Sequence, residues 1–164
     1  MHIRALPPAE LARRMRPFFV NAGYAVDDDR LLKIVPIIQE RLVTLDDCLA
    51  FGGFFFQETV NPNPDDLLGS KMSAAESAHA ARQALQALEV APEFTKDGLE
   101  TPLRAMVEGM GLSAGQVFGI LRVAVTGQKV SPPLFESMEI IGRSVVLERV
   151  QQAIGILDGI AGQK

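Results

Sequence analysis

The segment LRVAVTGQKVSPPLFE holds the residues of this chain that are best suited to bind a ligand. Arg122 carries a planar guanidinium that can pair with a phosphate or with the edge of a nucleobase. The Ser131 hydroxyl and the carbonyls around Pro132 can form hydrogen bonds with a base, and Leu134 can pack against its face. Composition alone favours a structural corner between two helices, and a corner that faces a ligand is the alternative.

The charge of the chain is negative overall but not around this corner. The formal net charge is −4, which argues against a protein that grips nucleic acid with its whole surface. Between residues 113 and 150, however, four Lys or Arg residues stand against three Asp or Glu residues, and Lys129 adds a cation to the turn itself. Because salt screens charges over about 10 Å, a local basic site is compatible with this composition.

Other candidates for catalysis or metal binding are few. The histidines His2 and His79 lie far apart in the sequence, and two such residues supply too few ligands for a metal. The acidic run Asp27–Asp29 lacks the spacing of a calcium loop and is typical of a helix cap. No Walker-type phosphate-binding loop occurs. The sequence therefore predicts no catalytic residue and no metal ligand.

Helices are predicted along nearly the whole chain. Ala, Leu, Glu and Gln are plentiful, there is no Trp and there is one Tyr, a composition that suits helices better than sheets. Apolar residues recur at helical spacing, and no strand pair is evident, so the predicted fold is all-α. The residues expected to begin or end helices are Pro8, Asn21, Asp27, Thr44, Ser73, Thr95, Gly111, Ser113, Gly127 and Leu134.

The clearest domain boundary lies in residues 59–70, TVNPNPDDLLGS. Asn-Pro occurs twice there, and a residue before proline avoids the helical conformation. A chain of 164 residues is long enough for two small domains. We predict two small helical subdomains, with residues 1–67 forming a helix bundle and residues 68–164 forming a bundle that resembles a helix-turn-helix.

The run LRVAVTGQKVSPPLFESMEIIGRSVVLERV closely resembles the C-terminal part of bacterial-type glutamyl-tRNA synthetases, the class I glutamate–tRNA ligases. Members of that family have L-R-x-A-[LV]-T-G, then [ST]-P-x-L-F-E, then a helix that contains L-x-R. The resemblance covers residues 2–157. The family's catalytic part, with its His-Ile-Gly-His motif and Lys-Met-Ser-Lys-Ser-type loop, has no counterpart here. We treat Ser70–Ser73, SKMS, as coincidental, because no nucleotide-binding βαβ pattern surrounds it.

The resemblance implies an isolated C-terminal fragment that binds the anticodon loop of the glutamate tRNA and is inactive by itself in aminoacylation. Arg41 matches the position that recognises the first anticodon base in some members, and Arg122 matches the arginine of L-R-x-A. The [ST]-P-x-L turn holds the other anticodon bases, and Lys129, where the family varies, can add a phosphate contact. The implied anticodon-binding residues are Arg41, Arg122, Lys129, Ser131, Pro132 and Leu134.

The expected partner is tRNA, with no DNA and no membrane, and the expected state is a monomer. No cofactor is expected in this fragment, since ATP and Mg²⁺ belong to the catalytic domain of the intact enzyme. The single cysteine, Cys48, and the lack of a signal peptide or a long apolar run indicate the cytoplasm. The rival hypothesis is a free-standing helical interaction module that has lost tRNA binding. A small-molecule enzyme is disfavoured by the missing catalytic residues.

Overall fold

The computed structural model describes residues 5–57 and 59–162, and these residues form helices joined by short turns. No strand occurs within them, so the all-α prediction is confirmed. The α-helices of the described residues are α1 Pro8–Asn21, α2 Asp28–Ile38, α3 Asp47–Gly52, α4 Ala74–Val90, α5 Lys96–Met110, α6 Ala114–Thr126, α7 Leu134–Ile141 and α8 Arg143–Ala161.

The chain divides into two compact units, Met1–Glu58 and Thr59–Lys164. The sequence places the division between residues 67 and 68, whereas the structure divides the chain between residues 58 and 59, at the start of the same Pro- and Asn-rich segment. The reason is that the 3₁₀ turn Pro64–Leu67 packs against α6 and α8, with Leu67 fully buried. This segment is therefore part of the second unit.

The first unit is built from α1, α2 and α3 around one apolar core. Asp27 begins α2 as expected, because its carboxylate accepts hydrogen bonds from the backbone N–H groups of Asp29 and Arg30. The helix ends at Ile38 and continues as a 3₁₀ turn, Gln39–Arg41. The buried side chains of this core include Leu11, Met15, Phe19, Leu31, Ile34, Ile38, Phe54 and Phe55.

The second unit is organised around the packing of α4 against α8. The buried face of α4 is mostly alanine, and small side chains let two helices approach closely. The predicted capping box of α4 is present, with Ser73 and Glu76 each accepting the other's backbone N–H, and Ser113 forms a second box with Gln116 at the start of α6.

Helix α6 lies against both α4 and α8, and α7 packs on α5. None of the helices in the described part of the chain is long and apolar enough to cross a bilayer.

Candidate nucleic-acid interface

The corner between α6 and α7 begins where α6 must end, at Gly127. Its φ of +76° lies in the left-handed region that favours glycine, and its N–H donates to the Val123 carbonyl at 2.8 Å. A Cβ atom at this position would lie 3.3 Å from the Val60 Cβ. The backbone conformation therefore favours glycine here, as the sequence predicts for the end of α6, and the close Val60 side chain leaves little room for a Cβ atom.

The Thr126 side chain ties the residues after α6 back to the last helical turn. Its hydroxyl donates to the Arg122 carbonyl at 2.6 Å and accepts the Gln128 N–H at 3.1 Å. Thr126 is itself buried. The chain that leaves the helix is thus held in one direction by a side chain that water does not reach.

Arg122 and Ser131, whose side chains are predicted to bind a ligand, form a hydrogen bond with each other. The Arg122 Nε–H donates to the Ser131 Oγ at 3.0 Å, and the Ser131 hydroxyl donates to the Pro132 carbonyl at 2.8 Å. Arg122 is half-buried, while Ser131 is 6% exposed. The serine therefore holds the guanidinium plane in place, and the proline carbonyl in turn holds the serine hydroxyl.

The double-proline turn is anchored in the core by the start of α7. Leu134 is the first residue of α7 and is 4% exposed, so its side chain packs inward in this structure. The Phe135 ring meets the Phe118 ring edge to face, with centroids 5.1 Å apart. The Ser137 hydroxyl donates to the Pro133 carbonyl at 2.7 Å. These contacts tie the turn to α6 and α7.

The tip of the corner is exposed and carries Lys129. The Lys129 Nζ lies 3.6 Å from the Asp66 Oδ1, with 69% of the lysine side chain exposed. An exposed pair of this kind contributes roughly 0–1 kcal/mol, so Lys129 can exchange the carboxylate for another anion at little cost. Lys129 and Asp66 also line a groove of about 360 Å³ between α6 and residues 66–70, together with Ser70, Gly119 and Val123.

Arg149 supports the corner from inside, and sequence reasoning did not select it. This α8 residue is 3% exposed, and its Nη1 donates to the Val125 carbonyl at 2.7 Å, in the last turn of α6. The sequence signal that identifies Arg149 is its position, because it falls on the buried stripe of α8 defined by Val146, Val150 and Ala153. An arginine in such a stripe indicates a buried hydrogen-bond partner.

The remaining sequence candidates belong to other segments of the chain. Arg41 is the exposed last residue of the 3₁₀ turn in the first unit. His79 is exposed on α4, and His2 lies outside the described residues. Within residues 5–57 and 59–162, no group of three or more His, Cys, Asp or Glu side chains is placed to hold a metal ion. Burial raises the pKa of the Cys48 thiol to about 12, so this thiol is a core group.

The family described as the anticodon binding domain matches residues 10–154, and the chain therefore belongs to that family. Among its relatives is a glutamate–tRNA ligase of Solibacter usitatus, 43% identical over 93% of this chain and 31% of the ligase. Another, from Roseiflexus sp., is 40% identical over 99% of this chain and 33% of the ligase.

The chain thus spans about a third of the length of these ligases and is homologous to that part of them. A crystal structure of a glutamate tRNA ligase from Elizabethkingia meningosepticum has the same fold, with a TM-score of 0.79 at 22% identity. The likeness covers 93% of this chain and 30% of that one. The family indicated by the sequence motifs is confirmed.

Proposed function

We propose that this chain binds the anticodon loop of the glutamate tRNA as the anticodon-binding part of a glutamate–tRNA ligase. The observation that carries the proposal is the family match over residues 10–154, which includes the whole corner between α6 and α7. The corner carries two cations on a backbone held by side-chain hydrogen bonds, and splayed bases are recognised by hydrogen-bonding groups and by arginine planes.

Arg122 is the residue to which we assign base recognition. A guanidinium gains specificity when its plane is fixed before the ligand arrives, because less freedom is then lost on binding. The hydrogen bond from Arg122 to Ser131 provides this fixation. Pro132 and the buried Leu134 hold the turn so that its backbone groups face a base, and Lys129 contacts a phosphate after leaving Asp66.

Arg41 is assigned a separate role in the first unit. It is exposed at the end of a short 3₁₀ turn, where its guanidinium can approach the first anticodon base. We propose that this contact contributes to the choice between the tRNAs for glutamate and glutamine. The change Arg41→Ala should then weaken discrimination at that base, while Arg13→Ala, an exposed arginine on α1 of the same unit, should not.

In the intact enzyme, the energy of anticodon binding would position the acceptor end of the tRNA at a distant active site that uses ATP and Mg²⁺. This chain would act without those cofactors, as a monomer, in the cytoplasm. By itself it should bind tRNA and should not attach glutamate to it. Sedimentation of the chain with and without tRNA measures the oligomeric state directly.

The test is fluorescence anisotropy with a labelled glutamate tRNA transcript at low salt, beside transcripts in which single anticodon bases are changed. One good base contact is worth about 1–3 kcal/mol, so each affected base change should weaken binding about 5- to 150-fold. Arg122→Ala should give a loss in the same range and should remove discrimination at the base it contacts. Arg82→Ala is the matched control, since Arg82 is an exposed arginine of α4 in the same unit.

Equal affinity for all anticodon variants would contradict the assignment of the anticodon loop. Absence of any binding at low salt would contradict tRNA binding itself and would favour the interaction-module hypothesis. Unchanged binding by Arg122→Ala would contradict the role given to the corner.

A further inference from the structure

The groove between α6 and residues 66–70 has no role in the proposed function. Its volume is about 360 Å³. Sites for small ligands occupy about 300–1,000 Å³, so this groove suits a ligand of the size of one nucleotide. It is continuous with the corner, because Lys129 belongs to both, and its α6 residue Val123 directly follows Arg122.

The wall of the groove formed by residues 66–70 is tied to two helices. The Gly69 N–H donates to the buried Ser77 Oγ of α4 at 2.9 Å, and the Gln116 Nε2 of α6 donates to the Ser70 carbonyl at 2.8 Å. These two bonds hold the groove in one shape. A preformed site loses less freedom when its ligand binds.

The floor of the groove is apolar and has no projecting side chain at two positions. Gly115 and Gly119 lie one turn apart on α6, and both line the groove together with the apolar side chains of Ile120 and Val123. A Cβ atom at Gly119 would meet nothing within 4 Å. A flat ligand face can therefore lie against this stretch of α6, and every nucleobase has such a face.

The rim of the groove carries two charged side chains that face each other. The Asp66 Oδ1 lies 3.6 Å from the Lys129 Nζ, and 33% of the Asp66 side chain is exposed. When Lys129 turns to a phosphate, the Asp66 carboxylate loses this cation and keeps two acceptor oxygens at the mouth of the groove. Acidic side chains in contact with bases accept from an exocyclic amino group, as they do from that of cytosine.

We propose that the groove holds one base of the anticodon loop, a cytosine or an adenine, and that Asp66 accepts a hydrogen bond from its exocyclic amino group. This proposal rests on the proposed function. The face of the base lies on α6 at Gly119, and Lys129 contacts the adjacent phosphate. Uracil and guanine carry a carbonyl oxygen at the corresponding position, so that two acceptors would meet without a proton between them.

The first test fills the groove while leaving the core unchanged. Gly119→Leu places a side chain in the groove, and its melting temperature should equal or exceed that of the wild type, because leucine favours a helix more than glycine does. The affinity for the labelled glutamate tRNA should fall about 5- to 150-fold, the share of one base contact. Gly155→Leu is the matched control, since a Cβ at this exposed glycine of α8 also meets nothing within 4 Å, and it should bind as the wild type does.

The second test identifies the base. Each cytosine of the anticodon loop is replaced in turn by uracil and each adenine by inosine, which exchanges the amino group for a carbonyl oxygen. At one position the wild-type chain should lose about 5- to 150-fold in affinity, and Asp66→Ala should bind both RNAs equally. Asp65→Ala removes the same charge from the exposed neighbouring residue and should keep the preference, as should Arg122→Ala.

The outcomes distinguish this proposal from the proposed function. If the wild-type chain does not bind tRNA, the proposed function fails and the role of the groove fails with it. If the wild type binds and discriminates between anticodons, but Gly119→Leu keeps its affinity or Asp66→Ala keeps every preference for an amino group, only the role of the groove is overturned. An equal gain in affinity for all RNAs in Asp66→Ala and Asp65→Ala would also overturn it, because Asp66 would then act through its charge alone. Should Gly119→Leu melt below the wild type, the Asp66 measurement decides by itself.

Discussion

The hydrogen bond between Arg122 and Ser131 predicts that these two side chains act as one unit in binding. Ser131→Ala removes the acceptor of the Arg122 Nε–H and also the donor to the Pro132 carbonyl, with little change in volume. Because Ser131 is only 6% exposed, water does not readily replace the lost hydroxyl. The Arg122 guanidinium then loses a contact that helps to fix its plane.

The expected size of the effect follows from these contacts. A hydrogen bond to a charged group contributes about 1.5–3 kcal/mol, and the half-buried position of Arg122 places the loss near the lower end. For a domain of about 100 residues, 1 kcal/mol corresponds to a change of about 4–8 °C in melting temperature. Ser131→Ala should therefore lower the melting temperature by about 6–12 °C, measured by circular dichroism.

A double-mutant cycle separates this structural effect from the effect on binding. Arg122→Ala, Ser131→Ala and the double variant are compared by anisotropy with the glutamate tRNA. If Ser131 acts through Arg122, the double variant should bind no more weakly than Arg122→Ala, and the coupling energy should be about 0.5–3 kcal/mol. Ser144→Ala, an exposed serine of α8, should be additive with Arg122→Ala. If the losses of affinity caused by Ser131→Ala and Arg122→Ala also multiply in the double variant, the reasoning is refuted.

Three further predictions concern helix ends and the core. Gly127→Ala should destabilise the chain by about 1–2 kcal/mol because of the positive φ at this position. The loss should exceed that of Gly111→Ala, because a Cβ at Gly127 lies 3.3 Å from the Val60 Cβ and a Cβ at Gly111 has nothing within 4 Å. Denaturant unfolding measures the difference. The hydrogen bond from the Ser73 N–H lowers the pKa of Glu76 below its ordinary value of 4.5, so the capping box stabilises fully above pH 4.5 and is lost as the pH falls through the lowered pKa. Melting curves between pH 7 and pH 3 should show this loss, and Glu76→Gln, which keeps the box without titrating, should reduce it; an equally steep loss in that variant would contradict the assignment. Cys48, with its raised pKa and full burial, should react with Ellman's reagent only after denaturation, and rapid reaction of the native chain would show that the core opens.

The sequence predicts helix ends well where the signal is contained in a few neighbouring residues. Ser73, Ser113, Gly111 and Gly127 begin or end helices as expected, because each acts on backbone groups within one turn. These helix caps depend on local backbone geometry alone.

The prediction that Thr44 caps α3 is wrong. The helix begins after Asp46, and the Asp47 carboxylate accepts the N–H groups of Val43 and Thr44 at 2.9 and 3.0 Å. The acidic residue thus reaches backward along the chain to backbone groups that precede the helix, and the N-cap residue Asp46 makes no side-chain hydrogen bond to the first turn. Two adjacent acidic residues and a threonine offer several caps of similar energy, and packing decides between them.

The candidate site was predictable in composition but not in its internal contacts. The motif identifies Arg122 and Ser131, but no sequence rule brings a helix side chain against a serine nine positions later. That contact depends on the direction given to the chain by Thr126 and Gly127. The role of Arg149 depends on α8 returning to α6 and is likewise a property of the tertiary structure.

The buried Arg149 has an electrostatic consequence for the surface above it. The C-terminal end of an α-helix carries a partial negative charge of about half an elementary charge, and α6 points this end toward the corner. The Arg149 guanidinium binds a carbonyl of that last turn from the low-dielectric interior, where salt does not screen it. It therefore offsets the helix dipole from within, and an approaching polyanion meets the positive potential of Arg122 and Lys129 with less opposition from the helix that carries them.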